Sequence, residues 1–225
     1  MTNPHSAAQS HLSRCDRVLK RLIKLVGDCA LRPQTDIFAA LVRSIVAQQI
    51  STKAAQSISA KLIAGPCKGT LAAAAIVRAR DKDLRAAGLS VSKMRSLRDL
   101  AERVHSGTLR LDTLGTLSDE GVIEQLVPVR GIGRWTAQMA LIFALGRPDV
   151  LPVDDFGLRA AAQRHYSLDE LPGRTKLEEL GAPWKPYRSI ATWYMWRSLD
   201  PAIASQKPGL KGGPTPLRGK PRERG

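Results

Sequence analysis

The chain is short of cysteine, short of acidic side chains and without long apolar runs, and each scarcity removes a class of protein. Its three cysteines, Cys15, Cys29 and Cys67, are far apart and form no CxxC pair. That excludes a disulfide scaffold, a cysteine zinc site and a four-cysteine iron–sulfur cluster. The longest apolar stretch, Met139 to Gly146, is far too short to span a bilayer. The N-terminal segment has no basic stretch followed by an apolar one, so no secretory signal is read. An intracellular, nucleoid-associated protein with no membrane partner is expected. Sustained strand alternation and a repeat of fixed period are also missing. The acidic deficit is the most telling scarcity: Asp and Glu total 20 against 35 Lys and Arg, a net charge of +15. Such an excess points to a polyanionic partner, nucleic acid first and an acidic membrane surface second.

What is present is helical. The 225 residues are 43% hydrophobic and 24% charged, ordinary values for a chain able to bury a core. Leu19, Leu22, Ile23 and Val26 follow the helical spacing, as do Ile37, Leu41 and Ile45 after Thr35 as N-cap. Ser51 is expected to cap a helix reaching about Ile63, Ser92 one through Leu97, Leu100 and Val104, and Ser118 one through Leu126. A nearly all-apolar helix is expected over 134–145, stopped by Gly146 and Pro148, with further helices near 155–165, 174–180 and 186–199. Residues 206–225 are rich in Gly, Pro and basic side chains, cannot pack a core and are expected to be a disordered basic tail. Such a tail is either a solvated end or an arm that adds salt-sensitive affinity for phosphates.

The most informative segment runs from Leu126 to Ala137, where one helix leads in, a turn with Gly131 and Gly133 on either side of Ile132 follows, and a second helix leads out. Glycines there permit positive φ and close approach to the backbone. Ile132 would plug the turn into the core. The free N–H groups and positive dipole end of the second helix make a ready phosphate site.

This segment resembles the helix-hairpin-helix of the helix-hairpin-helix (HhH-GPD) DNA glycosylase superfamily. Four further blocks support the likeness in the same order along the chain. Phe38–Ser51 is similar to the family's early core helix, and Ala87–Lys93 resembles its DNA-wedge loop. Leu151–Arg159 is similar to its aspartate loop, and Trp184–Ser189 to the start of the last helix in the DNA-3-methyladenine glycosylase II branch. Together the blocks cover about residues 36–198.

The resemblance implies an all-α fold of two helical lobes, about 50–150 and 1–49 with 151–205, with the active-site cleft between them. It implies the compact form, since only about 35 residues precede the first block, too few for the N-terminal β domain of some members. It implies an enzyme that rotates a damaged base out of duplex DNA and hydrolyses its N-glycosidic bond. Asp155, before Phe156 and four residues before Arg159, matches the acting aspartate that stabilises the sugar's oxocarbenium charge or activates water. Asp154 is the runner-up, its simpler role being a helix cap. Bifunctional members carry a nucleophilic lysine where this chain has Trp135, so the enzyme is expected to be monofunctional and to leave an abasic site.

Nine of the ten aromatic residues lie from Trp135 onward. Electron-rich ring faces attract cations, and purines methylated at N3 or N7 are cationic. The implied base pocket holds Trp135, Phe156, and Trp184 or Tyr187 or both, with Met139 where the branch often has an aromatic and with Gln48 at the pocket or the opposite base. Phe143, Trp193 and Trp196 read as core. Val91 aligns with the wedge that fills the gap left by the flipped base, or is an ordinary loop valine. Arg130, Gly131, Ile132, Gly133, Arg134 and Thr136 of the hairpin, with Lys93 and Arg95, are expected at DNA. The backbone oxygens of Val127, Val129 and Ile132 correspond to those that hold a Na+ or K+ ion in the family. No other cofactor is implied, and a monomer is expected. Rival readings are a glycosylase for a neutral lesion such as uracil or an oxidised or deaminated purine, a non-catalytic hairpin DNA-binding module, and a basic RNA-binding domain, whose signatures are missing.

Overall fold

A computed structural model describes residues 3–204, so the tail expected over 206–225 lies outside the described residues. Among the described residues there is no strand. The helices are α1 (Ser6–Cys15), α2 (Arg17–Val26), α3 (Ile37–Ala47), α4 (Thr52–Ala64), α5 (Ala73–Arg78), α6 (Asp81–Ala86), α7 (Val91–His105), α8 (Asp119–Leu126), α9 (Arg134–Phe143), α10 (Phe156–Tyr166), α11 (Arg174–Gly181), α12 (Arg188–Arg197) and α13 (Pro201–Ala204). Short 3-10 turns cover Leu111–Thr116 and Ala182–Trp184.

Among the described residues, side-chain caps set six of the thirteen helix starts. Asp16, Asp36, Ser51, Ser90, Ser118 and Asp155 each accept a backbone N–H from the first turn that follows. Two expected caps move. Asp36 replaces Thr35, its carboxylate reaching the Ala39 N–H at 2.9 Å. Ser90 replaces Ser92, its hydroxyl taking the Lys93 N–H at 3.3 Å, which makes Val91 the first helical residue. The long helix of the sequence reading ends at Phe143. Gly146, at φ +65°, turns the chain back so that the Arg147 N–H bonds the Leu141 carbonyl at 2.9 Å.

Packing sorts the helices into two lobes. In one, α3 lies against α4, α7 and α9, with α5 and α6 on α7 and α8 on α9. In the other, α1 and α2 pair, α12 crosses α2 and α10, and α11 leads into the 3-10 turn at Trp184. The boundary drawn after residue 49 therefore falls earlier, before Ile37. Leu41, Val42, Ile45 and Val46 of α3 are fully buried, and the helices packed on α3 are α4, α7 and α9, all of which follow it. One continuous apolar core links the lobes, through Leu97, Leu100 and Leu141 on one side and Leu19, Leu22, Leu158 and Tyr194 on the other. Burying such side chains contributes roughly 1.5–3 kcal/mol each. No helix among the described residues is long and apolar enough to cross a membrane.

Candidate active site

The hairpin joins α8 to α9 and is tied down from three sides. Ile132 is buried, as expected, and its N–H bonds the Val129 carbonyl at 3.0 Å. The Arg130 N–H donates to Asp99 of α7 at 2.7 Å. The Gly131 carbonyl accepts the Gln48 side-chain amide at 2.9 Å. Gly131 has φ +79°, and a Cβ there would lie 2.5 Å from the Ser96 hydroxyl, so both backbone and space demand glycine. Gly133 differs from the expectation. It is extended, with φ −91° and ψ 175°, and a Cβ on it would meet nothing. It is the N-cap of α9 and offers no side chain, so the first N–H groups of that helix are left for an outside acceptor.

Asp155 sits where the lobes meet. It caps α10, its Oδ1 accepting the Leu158 N–H at 2.6 Å. The same Oδ1 accepts the indole N–H of Trp196 at 2.7 Å, and Oδ2 accepts that of Trp135 at 2.8 Å. Three donors thus converge on an acceptor-only group that is only 8% exposed. The cap expected of Asp154 belongs to Asp155, which combines it with a place at the cleft. Asp154 is exposed and paired with Arg174 at 2.7 Å.

Beside that carboxylate lies a pocket of about 610 Å³, a size usual for small-ligand sites. Trp135, Met139 and Phe143 form one wall, a stripe repeating every four residues along α9. Trp196 of α12 and Asp155 close the other lobe's side, and Ser44, Gln48, Gln49 and Thr136 line the rest. Phe143 stacks on Trp196 with ring centroids 5.6 Å apart and 18° between planes. Gln49 is held at φ 58°, a region non-glycine residues rarely adopt, at the pocket wall. Gln48 lines the pocket, but its amide is committed to Gly131 and, at 3.4 Å, to the Thr136 hydroxyl.

Several expected members of the pocket stand elsewhere. Trp184 is fully buried, and its indole N–H donates to Asp16 at 2.9 Å, because Asp16 also caps α2 and accepts the Tyr166 hydroxyl. Tyr187 lies edge-on to His11, with centroids 5.5 Å apart. Phe156 follows Asp155 but is 69% exposed and outside the pocket lining. Phe143 and Trp196, read as core from sequence, take their places. The four-residue stripe from Trp135 through Met139 would have found Phe143; nothing local distinguishes Trp196 from Trp193.

The expected DNA contacts also divide. Val91 is 46% exposed at the start of α7. It borders a second groove of about 590 Å³ that Arg95 and Arg130 also line. Both arginines are exposed and hold no ion pair among the described residues. Lys93 instead turns inward, its ammonium donating to the Val46 carbonyl at 2.7 Å, and partial burial lowers its pKa. Arg134 makes a two-pronged pair with Glu120 at 2.5 and 2.7 Å, which raises its pKa and occupies its fork. Thr136 is buried in the first turn of α9. Among the described residues no three His, Cys, Asp or Glu side chains gather as metal ligands.

Residues 42–186 match the family described as HhH-GPD superfamily base excision DNA repair protein. The chain is 34% identical over 198 residues to DNA-3-methyladenine glycosylase 1 of Schizosaccharomyces pombe, covering 85% of this chain and 86% of that one. Its fold is similar to the solved structure of an S. pombe 3-methyladenine DNA glycosylase in complex with abasic DNA, with TM-score 0.79, 33% identity and coverage of 88% and 98%. A DNA-3-methyladenine glycosidase from Bacillus halodurans is equally similar, with TM-score 0.78, 33% identity and coverage of 92% and 94%.

Proposed function

The chain belongs to the HhH-GPD superfamily of base excision DNA repair proteins, and from that premise we propose that it is a monofunctional glycosylase removing N3- and N7-methylated purines from duplex DNA. The observation that carries this reading is the Asp155 carboxylate, held by the indoles of Trp135 and Trp196 at the wall of a pocket those same rings line.

Each part has a role in the reaction. A flipped cationic base stacks against Trp135, Phe143 and Trp196, whose faces attract positive charge. Alkylation already makes that base a good leaving group, so little acid help is needed. As the glycosidic bond lengthens, positive charge moves to the sugar, and the fixed carboxylate of Asp155 stabilises it. Water then completes the hydrolysis. Position 135 is tryptophan rather than lysine, so no amine attacks the sugar, and the product is an abasic site with the strand intact.

The duplex lies across the hairpin. The uncapped start of α9 meets a backbone phosphate, Val91 fills the vacated stack, and Arg95 and Arg130 contact the flanking backbone. The peptide oxygens of Val127, Val129 and Ile132 would hold a sodium or potassium ion. Three hard oxygen donors on one short turn suit such a cation, which when bound adds positive charge beside that phosphate.

The test is release of free base from methylated duplex DNA by wild type and Asp155→Asn, with a uracil duplex as control. Release of 3-methyladenine or 7-methylguanine by wild type alone is expected, with duplex binding kept by the variant. Full activity of Asp155→Asn would remove that residue from the mechanism. Release from the uracil duplex only would transfer the reading to a neutral-lesion enzyme, and binding with no release at all to a hairpin DNA-binding module.

A further inference from the structure

Away from the cleft, the far end of α4 and the short helices α5 and α6 enclose a groove of about 900 Å³. Lys61, Lys68, Arg78 and Arg80 line it, against one acidic side chain, Asp83. Asp83 pairs with Arg80 at 2.8 Å. Lys61, Lys68 and Arg78 are exposed, with no ion pair among the described residues. The last carbonyls of α5 would bring partial negative charge to this region. Two of them, those of Ile76 and Val77, are taken by Arg98 of α7, which also bonds the Ala79 carbonyl just past the helix. The groove therefore keeps its positive sign, over walls of alanine and Pro66 that let a backbone come close.

Its position separates it from the reaction. Helix α4 begins beside Gln49 at the pocket, and Lys61 comes ten residues after Ser51, about 15 Å further along the helix axis. The groove's front edge is Ala86 and Ala87, where the wedge loop begins, with Lys61 and Lys68 behind, so a duplex on the wedge borders the groove without filling it.

We propose that this groove docks an acidic, extended segment of a partner protein while the enzyme is on DNA. Carboxylates of that segment meet Lys61, Lys68 and Arg78, and small apolar side chains lie on the alanine walls. Like charges gathered in a concave site repel one another until an anion enters, so complementarity supplies both steering and preference. Duplex DNA shares the charge but is a stiff rod that cannot thread a groove of about 900 Å³, as an extended segment can.

The experiment measures binding of a fluorescent peptide of glutamate and aspartate around a single leucine to the full chain. It is run with and without saturating undamaged duplex, beside the double variant Lys61→Glu, Arg78→Glu. Expected are salt-sensitive binding, a loss of about tenfold or more in the variant, the same affinity with duplex present, and unchanged base release by the variant. No binding, or equal binding by the variant, overturns the proposal. Displacement of the peptide by duplex also overturns it and makes the groove part of the DNA track. Peptide binding is read independently of base release, so a failure of the glycosylase reading leaves this result interpretable.

Discussion

Replacing Trp196 by phenylalanine keeps a ring against Phe143 and removes one donor from Asp155. The lost bond is 2.7 Å long and ends on a carboxylate only 8% exposed. Hydrogen bonds to charged groups contribute about 1.5–3 kcal/mol. For a chain of this size that corresponds to a fall of roughly 3–12 °C in Tm. The rate suffers for a second reason. Oδ1 keeps only the Leu158 N–H, and the carboxylate gains freedom to turn from the developing sugar charge. Misplacement by an ångström costs up to about a hundredfold in rate. Single-turnover base release from methylated duplex should therefore slow by about tenfold to about a hundredfold, with affinity for undamaged duplex unchanged. The double variant separates positioning from stacking. If Trp196 acts through Asp155, adding Trp196→Phe leaves unchanged the residual release that Asp155→Asn shows only at excess enzyme and long times. Equal fractional losses in both backgrounds would refute the reasoning and leave Trp196 as a surface for the base alone.

The two hairpin glycines should respond differently. Gly131→Ala forces a positive φ and a clash with Ser96, so it should cost about 1–3 kcal/mol in thermal melts and weaken duplex binding, while Gly133→Ala is tolerated; equal effects would contradict the geometry. Borohydride added during turnover should trap no enzyme–DNA adduct, and a trapped species on gels would refute monofunctional chemistry. Alkaline stability should fall through Tyr166. Burial first, then its hydrogen bond to Asp16, pushes its pKa up. Below about pH 10 the phenol is neutral in both states, and above it only the unfolded chain ionises, so stability drops as pH rises. Tyr166→Phe should flatten urea-melt stability between about pH 9 and about pH 11, and a slope equal to wild type would remove the argument.

Local chemistry made much of this protein legible. Ser51 and Ser118 cap the helices they precede in sequence, because a cap acts within three residues. The hairpin could be read because two glycines, one apolar plug and a helix start lie together along the chain. Asp155 could be chosen because its neighbours in sequence carry the pattern. Its double duty as cap and pocket wall could not, since that depends on indoles 20 residues before it and 41 after it. The same limit explains the exchange of Trp184 for Trp196. Both are tryptophans near helix ends, and only the crossing of α12 over α10 brings one indole to Asp155, while the start of α2 claims the other. The turn of Lys93 toward α3 and the basic groove behind α4 likewise arise from segments distant in sequence. Periodicity and capping act within a turn or two of helix, so the amino-acid order alone marked most of the longer helices and the hairpin, the family pattern singled out Asp155, and α1, α5 and α6 went unread. Which side chains meet across the cleft was decided by tertiary packing, where burial and hydrogen-bond satisfaction select among candidates that are locally equivalent.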